Sequence, residues 1–171
     1  AAALRSSSAA DASALVALVN LLAVAEPTPS PRPRAVGPAQ RVVSINVHTA
    51  NRDHAAVARF IARTRPDVLV LIEVDRTWLT ALAEATAAYP VRIEEPRDDN
   101  FGIALYARAA DAQAQVHSFE GTPTIAATVT IAARPWRVIS THPVPPVGAD
   151  GATVQARQLA AVATLVRAAP T

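Results

Sequence analysis

Cysteine, methionine and lysine are absent from the sequence, and aromatic residues make up only 4% of it. Without cysteine, these residues can hold no disulfide, thiolate metal site or cysteine nucleophile, so any metal must sit on oxygen or imidazole. Without lysine, all sixteen basic residues are arginine; against fourteen acids they leave a net charge of +2. The arginines are spread along the chain, so nucleic-acid binding is neither indicated nor excluded. Hydrophobic residues reach 51%, but much of that share is alanine, which has little apolar area. A core must therefore come from Val, Ile and Leu. The surplus of Ala and Pro beside missing Lys reads as compositional bias and points to no function. A chain of 171 residues suits one domain. It begins at Ala1 with no methionine, so the expectation is that its true start is missing.

Three stretches differ in character. Within residues 1–25, "ALVALVNLLAVA" (Ala14 to Ala25) is apolar except for Asn20. Twelve residues fall short of the roughly 20 that span a membrane. The run is either the end of a membrane or export element, given its Ala23-Val24-Ala25 finish, or an alanine-rich amphipathic helix. Residues 26–40 contain "EPTPSPRPRAVGP", whose five prolines favour extended geometry and mark a linker. From residue 41 to 171, short apolar runs alternate with helical periods. "RVVSINV" reads as a strand and the stretch after Asp53 as a helix that Pro66 closes. "DVLVLIEV" has the near-continuous apolarity of a strand covered on both faces. A helix over Arg76–Ala87 should bury Trp78, Leu79 and Leu82. Five strand-like runs follow ("VRIEE", "GIALYAR", "AQVHSF", "TIAATVTIA", "WRVISTH"), punctuated by Pro96, Asp98, Asp99, Gly121 and Pro135. A last helix carries Val154, Leu159, Val162, Leu165 and Val166 at helical spacing. Meander strands after a βαβα opening indicate an α/β mixed sheet.

Glu73 is the most informative candidate. It sits near the end of the most apolar segment, where an ionised carboxylate is costly without a partner or a cation. Strand ends are also where open α/β sheets place ligands. Alternatively, Glu73 faces solvent at the strand exit, paired with an arginine. Asn46 ends the first strand and can bind a phosphate oxygen or a neighbouring carboxylate, or serve as a turn residue. If the two strands are parallel neighbours, Asn46 and Glu73 share one sheet edge. His142 follows an apolar strand and precedes stiffening prolines; its imidazole can take a proton or bind phosphate, or be an ordinary strand-end residue. Asp98, Asp99 and Asn100 are a candidate cation triplet or a turn. Gly102 allows close backbone approach, and Tyr106 offers a hydroxyl. Asn51 reads as a turn residue, and His48, His54 and His117 as surface or helix-start residues.

The order of these blocks carries more than any one of them. Asn46 at a strand end, "RPDVLVLIEV" with Glu73, "DNFGIALYAR" and "ISTHPVPP" with His142 together resemble the endonuclease/exonuclease/phosphatase family over about Arg41 to Ala169. The similarity extends to membrane-anchored bacterial members, in which an apolar segment and a linker precede the catalytic domain. The resemblance implies a sandwich of two mixed sheets with helices outside. It implies Glu73 as a divalent-metal ligand for Mg2+ or Mn2+, supported by Asn46, with His142 and Asn46 at the scissile phosphate. It implies metal-dependent hydrolysis of a phosphodiester or phosphomonoester, the ester unnamed, nucleic acid among the candidates. It also implies a membrane-anchored or extracytoplasmic setting, the alternative being cytoplasmic.

Two later family blocks, a "GD-x-N" strand end and a terminal "D-H" pair, do not occur. The chain is therefore expected to be about half of a full four-layer domain, with one inner sheet face uncovered, poorly folded and inactive alone. Two other readings remain. One is a noncatalytic binding or scaffold module that needs a partner chain. The other is an unrelated α/β domain, which would place Glu73 and His142 at opposite ends of the sheet.

Overall fold

A computed structural model describes residues 39–168, and the apolar segment 1–25 and nearly all of the linker 26–40 lie outside the described residues. The chain divides into two units, Ala1–Ala39 and Gln40–Thr171, and every element described belongs to the second. In order these are β1 (Val42–Asn46), α1 (His54–Thr64), β2 (Val68–Ile72), α2 (Arg76–Ala81), α3 (Ala83–Thr86), β3 (Val91–Glu95), β4 (Ile103–Ala107), β5 (Ala112–Phe119), β6 (Thr122–Ile131), β7 (Arg134–Thr141) and α4 (Gly148–Arg167).

The first sheet has the order β1-β2-β4-β3 and the second the order β5-β6-β7. β1 and β2 are parallel, with Asn46 opposite Ile72, while β2 meets β4 antiparallel. Alternation along the strands decides what lies on each side. Val68 and Val70 of β2 with Ile103, Leu105 and Ala107 of β4 face the second sheet, meeting Ile125, Ala127 and Val129 of β6 in one buried cluster. Leu69, Leu71, Ala104 and Tyr106 face the other way, against Ile61, Trp78 and Leu82 of the first helical layer. Both faces of β2 are thus dry, which its unbroken apolar run requires. The inner faces cover one another at β2, β4 and β6, whereas Val42, Val116 and Trp136, which lie on the same faces of β1, β5 and β7, stay 52%, 45% and 36% exposed, so the expected uncovered apolar surface is found at the outer strands. With α4 beside the outer face of the second sheet, the described residues form four layers of a mixed α/β sandwich and part of a domain of that type.

Two sequence expectations change in detail. The helix over Arg76–Ala87 is two short helices that break at Leu82 (φ −96°, ψ 2°), which sends that side chain wholly into the core. Pro135 is inside β7, an edge strand where its missing N–H is tolerated. Two-residue hairpin turns join the strands of the second sheet. Glu120 and Gly121 make one with φ of 51° and 80°; Ala132 and Ala133 make the other with φ of 49° and 60°.

Candidate functional site

Asn46, Glu73 and His142 come from three different strand ends and meet. Because β1 and β2 run parallel, Asn46 and Glu73 emerge on the same edge of the first sheet, and Asn46 Nδ2 donates to Glu73 Oε1 at 2.6 Å. His142 follows β7 of the second sheet, and its Nε2 lies 3.3 Å from the same oxygen. Glu73 and His142 side chains are 15% and 24% exposed, enough to be reached from solvent and enough burial to strengthen their attraction. The site therefore exists only while the two sheets are packed together.

The backbone around these residues is held in costly conformations. Glu73 has φ of 62°, His48 59° and Asn100 67°, all left-handed values that non-glycine residues seldom adopt. Local bonds hold them. His48 N–H donates to Asn46 Oδ1 at 2.9 Å, which fixes the amide so that its donor end faces Glu73. Exchanging the amide oxygen and nitrogen would oppose donor to donor and acceptor to acceptor. Thr49 Oγ1 donates to the Glu73 carbonyl at 2.9 Å. Gly102 lets β4 approach so closely that an added Cβ would lie 1.8 Å from the Val74 carbonyl oxygen, while Val74 N–H donates to Gly102 O at 3.2 Å.

The remaining candidates separate clearly. Asp99 is an ion-pair partner of Arg97 and accepts from Phe101 N–H, and the guanidinium hydrogen bond holds its carboxyl below the ordinary value. Asp98, Asp99 and Asn100 thus make a turn, and no cluster of three or more His, Asp or Glu suited to a metal occurs among the described residues. Tyr106 points into the helix side of the sheet, buried and bonded to Glu94 Oε1 at 2.7 Å; burial raises its pKa above the ordinary range. Asn51 is a turn residue whose Oδ1 accepts from Asp53 N–H. His54 makes an edge contact with Trp78, ring centroids 4.3 Å apart, and His117 stacks on Phe119, 5.7 Å apart. Phe101 was not singled out by the sequence, yet its ring centroid is 5.5 Å from that of His142. Its place directly before Gly102 was the available signal.

Both contacts to Glu73 fall on Oε1, and among the described residues no hydrogen bond reaches Oε2. A hard cation such as magnesium is commonly held by one or two carboxylates together with substrate phosphate. One anionic oxygen in a partly buried polar corner fits that demand, and softer metals find no sulfur here. A groove of about 460 Å3 between α1 and α3, lined by Arg59, Arg65, Ala85 and Arg108, lies at the far end of β2 and includes none of the three residues.

The model of the Endonuclease/Exonuclease/phosphatase family matches residues 43–171. Among solved structures, D. rerio TDP2 humanized by 14 mutations is similar with a TM-score of 0.66 and 18% identity, over 77% of this chain and 57% of that one. D. rerio TDP2 complexed with a single strand DNA product gives 0.65 and 20%, over 77% and 56%. The mannosyl-6-phosphatase of Bacteroides thetaiotaomicron gives 0.56 and 16%, over 78% and 62%. At such identities the likeness establishes the fold alone. The chain spans less than two thirds of the length of these structures. A comparison with curated protein sequences finds no match.

Proposed function

The chain belongs to the endonuclease/exonuclease/phosphatase family, and from that premise we propose that it carries part of a metal-dependent phosphoesterase site built on Asn46, Glu73 and His142. The observation that supports this most is the convergence of Asn46 Nδ2 and His142 Nε2 on one oxygen of Glu73 from three strand ends. Members of the family generally use divalent metal ions. Here Mg2+ or Mn2+ would be held by Glu73 with the support of Asn46, and would stabilise charge developing on phosphate oxygens. Asn46 orients the carboxylate. His142, on the solvent side of Glu73, binds a phosphate oxygen when charged or moves a proton during attack of water on phosphorus.

The substrate class is a phosphate ester. One similar structure holds a single strand DNA product and another is a sugar phosphatase, so diester and monoester chemistry both remain within the proposal, nucleic acid included. The described residues supply one carboxylate at the site, so full activity calls for further acidic and water-activating groups, and these residues alone are proposed to be inactive. That single carboxylate also favours a second reading, a noncatalytic module that binds a partner without turnover. Attachment to a bacterial membrane through residues 14–25 is likewise a proposal, tested by fractionating cells that express the chain with and without that segment; recovery in the soluble fraction in both cases would overturn it. Among the described residues no helix is long and apolar enough to cross a membrane.

The deciding experiment adds Mn2+ to isotopically labelled protein. Paramagnetic broadening centred on Asn46, Glu73 and His142, abolished by Glu73→Ala, is the expected result. Hydrolysis of bis(p-nitrophenyl) phosphate is followed in parallel, in this chain and in one extended past Thr171. Turnover is expected in the extended chain alone and should fall there by about 100-fold or more on His142→Ala; turnover by the 171 residues themselves would overturn their proposed inactivity. Failure of Mn2+ to broaden Glu73 would sink the metal-dependent reading, and broadening with no turnover in either chain would put the binding module in front.

A further inference from the structure

Helix α4 has a polar centre. Its buried residue is Gln158, 1% exposed, while Leu159 is 48% and Val166 56% exposed. All of the Gln158 amide is used: Nε2 donates to Phe119 O at 3.1 Å and to Thr122 Oγ1 at 2.8 Å, and Oε1 accepts from Val144 N–H at 2.8 Å. One turn earlier, Gln155 Nε2 donates to Val144 O at 3.1 Å. Both backbone polar groups of Val144 are therefore gripped by α4.

Val144 is two residues after His142, in the run Pro143-Val144-Pro145-Pro146. Proline has no amide N–H, so Val144 holds the one donor in that run, and it is spent on Gln158. Prolines stiffen the segment, but stiffness without an anchor leaves its direction free. The two glutamines supply the anchor, and Phe119 and Thr122 tie Gln158 in turn to the β5–β6 hairpin. A buried side-chain amide with every bond made is rigid, whereas its loss would leave Val144 N–H unpaired at the cost of its desolvation.

We infer that Gln158, assisted by Gln155, is a positioning residue for His142: it clamps Val144 and so sets the imidazole against Glu73 and the Phe101 ring. The value of that position rests on the role given to His142 above. The clamp itself is read without turnover, so its failure and the failure of that role are separable.

The test is the NMR signature of the His142 ring in the full chain: its nuclear Overhauser contacts to Phe101 and the chemical shifts of its ring protons. Gln158→Met keeps the length and volume but removes all three bonds, and should abolish the contacts and move the ring signals towards those of an unstructured histidine. Gln155→Met, which loses only the bond to Val144 O, should move them part of the way. Two controls loosen α4 without touching Val144. Arg157→Ala breaks the ion pair with Glu120, and Arg137→Ala removes the bond to Leu165 O; both should leave the ring signals in place. If Gln158→Met moves His142 no further than these controls, the clamp is refuted. If Gln158→Met does not fold, Gln155→Met decides, and a ring displacement no larger than that of Arg137→Ala refutes the clamp equally.

Discussion

Helices α1 and α2 bury Ile61 and Trp78 against Leu69, Leu71 and Tyr106 of the first sheet, whereas α4 meets the second sheet through Gln158, an ion pair and a hydrogen bond from Arg137 to Leu165 O. Apolar contact is non-directional and strong per residue, about 1.5–3 kcal/mol for a large side chain. Hydrogen bonds are worth less, about 1 kcal/mol net, but they fix direction. The site takes one part from each region: Asn46 and Glu73 stand on the densely packed first sheet, and His142 on a strand whose loop is steered by a polar-docked helix. A rigid carboxylate platform and a directionally set imidazole is the arrangement this difference produces.

The largest test of that contrast is Trp78→Ala, which should cost about 3–5 kcal/mol in urea denaturation. Leu159→Ala on α4, at half exposure, should stay within about 0.5 kcal/mol. Equal losses would erase the distinction between the two helical layers. Next in size is Gly102→Ala. With the new Cβ 1.8 Å from Val74 O, the backbone between Glu73 and β4 must shift, at about 1–3 kcal/mol or more. The Asn46 side-chain amide signal, set by its bond to Glu73, should move with it; an unmoved signal would show that the platform does not depend on this approach.

Much of this was legible in the sequence and some was not, for physical reasons. β2 announced itself because a strand dry on both faces needs Val68–Leu71 without a polar break, and Glu73 stood out against that run. Once β1 and β2 proved parallel, Asn46 necessarily shared the edge. The division of the strands into four and three, with inner faces closed on each other at β2, β4 and β6, depends on long-range pairings such as Val68 with Ala107 that no local pattern encodes. Gln158 was hidden for the opposite reason. Apolar spacing drew attention to Val154, Leu159, Val162, Leu165 and Val166, of which Val154, Val162 and Leu165 are half-buried and Leu159 and Val166 exposed, while the one fully buried residue of the helix is polar and meets three partners from distant segments. The alanine turn at Ala132 and Ala133 also escaped notice, since left-handed φ is signalled by glycine and none is there.

That turn gives a smaller test of the second sheet. Left-handed backbone costs an L residue about 1–2 kcal/mol, offset in part by the extra unfolded freedom of glycine. Ala133→Gly should therefore stabilise by about 1 kcal/mol or less and slow amide exchange in β6 and β7. No gain would mean that the hairpin is strained less than its φ of 60° implies.

The smallest effect concerns the ion pair that pins α4 to the β5–β6 hairpin. Arg157 donates to both oxygens of Glu120, at 2.9 and 2.8 Å, and holds its pKa below the ordinary value of 4.5. A carboxyl whose pKa is lower in the folded state than in the unfolded chain favours folding above the unfolded value, and loses that contribution as the pH falls through the folded one. Arg157→Ala should thus lower the urea midpoint slightly near neutral pH and not at all in acid, with added salt reducing the difference because the pair is open to solvent. Acid dependence that persists unchanged in Arg157→Ala would assign it to other carboxylates, Asp99 beside Arg97 among them. The helix would then be held by the bonds of Gln155 and Gln158 and by Arg137 at Leu165 O, which sharpens the contrast between a layer fixed by apolar area and one fixed largely by directed polar bonds.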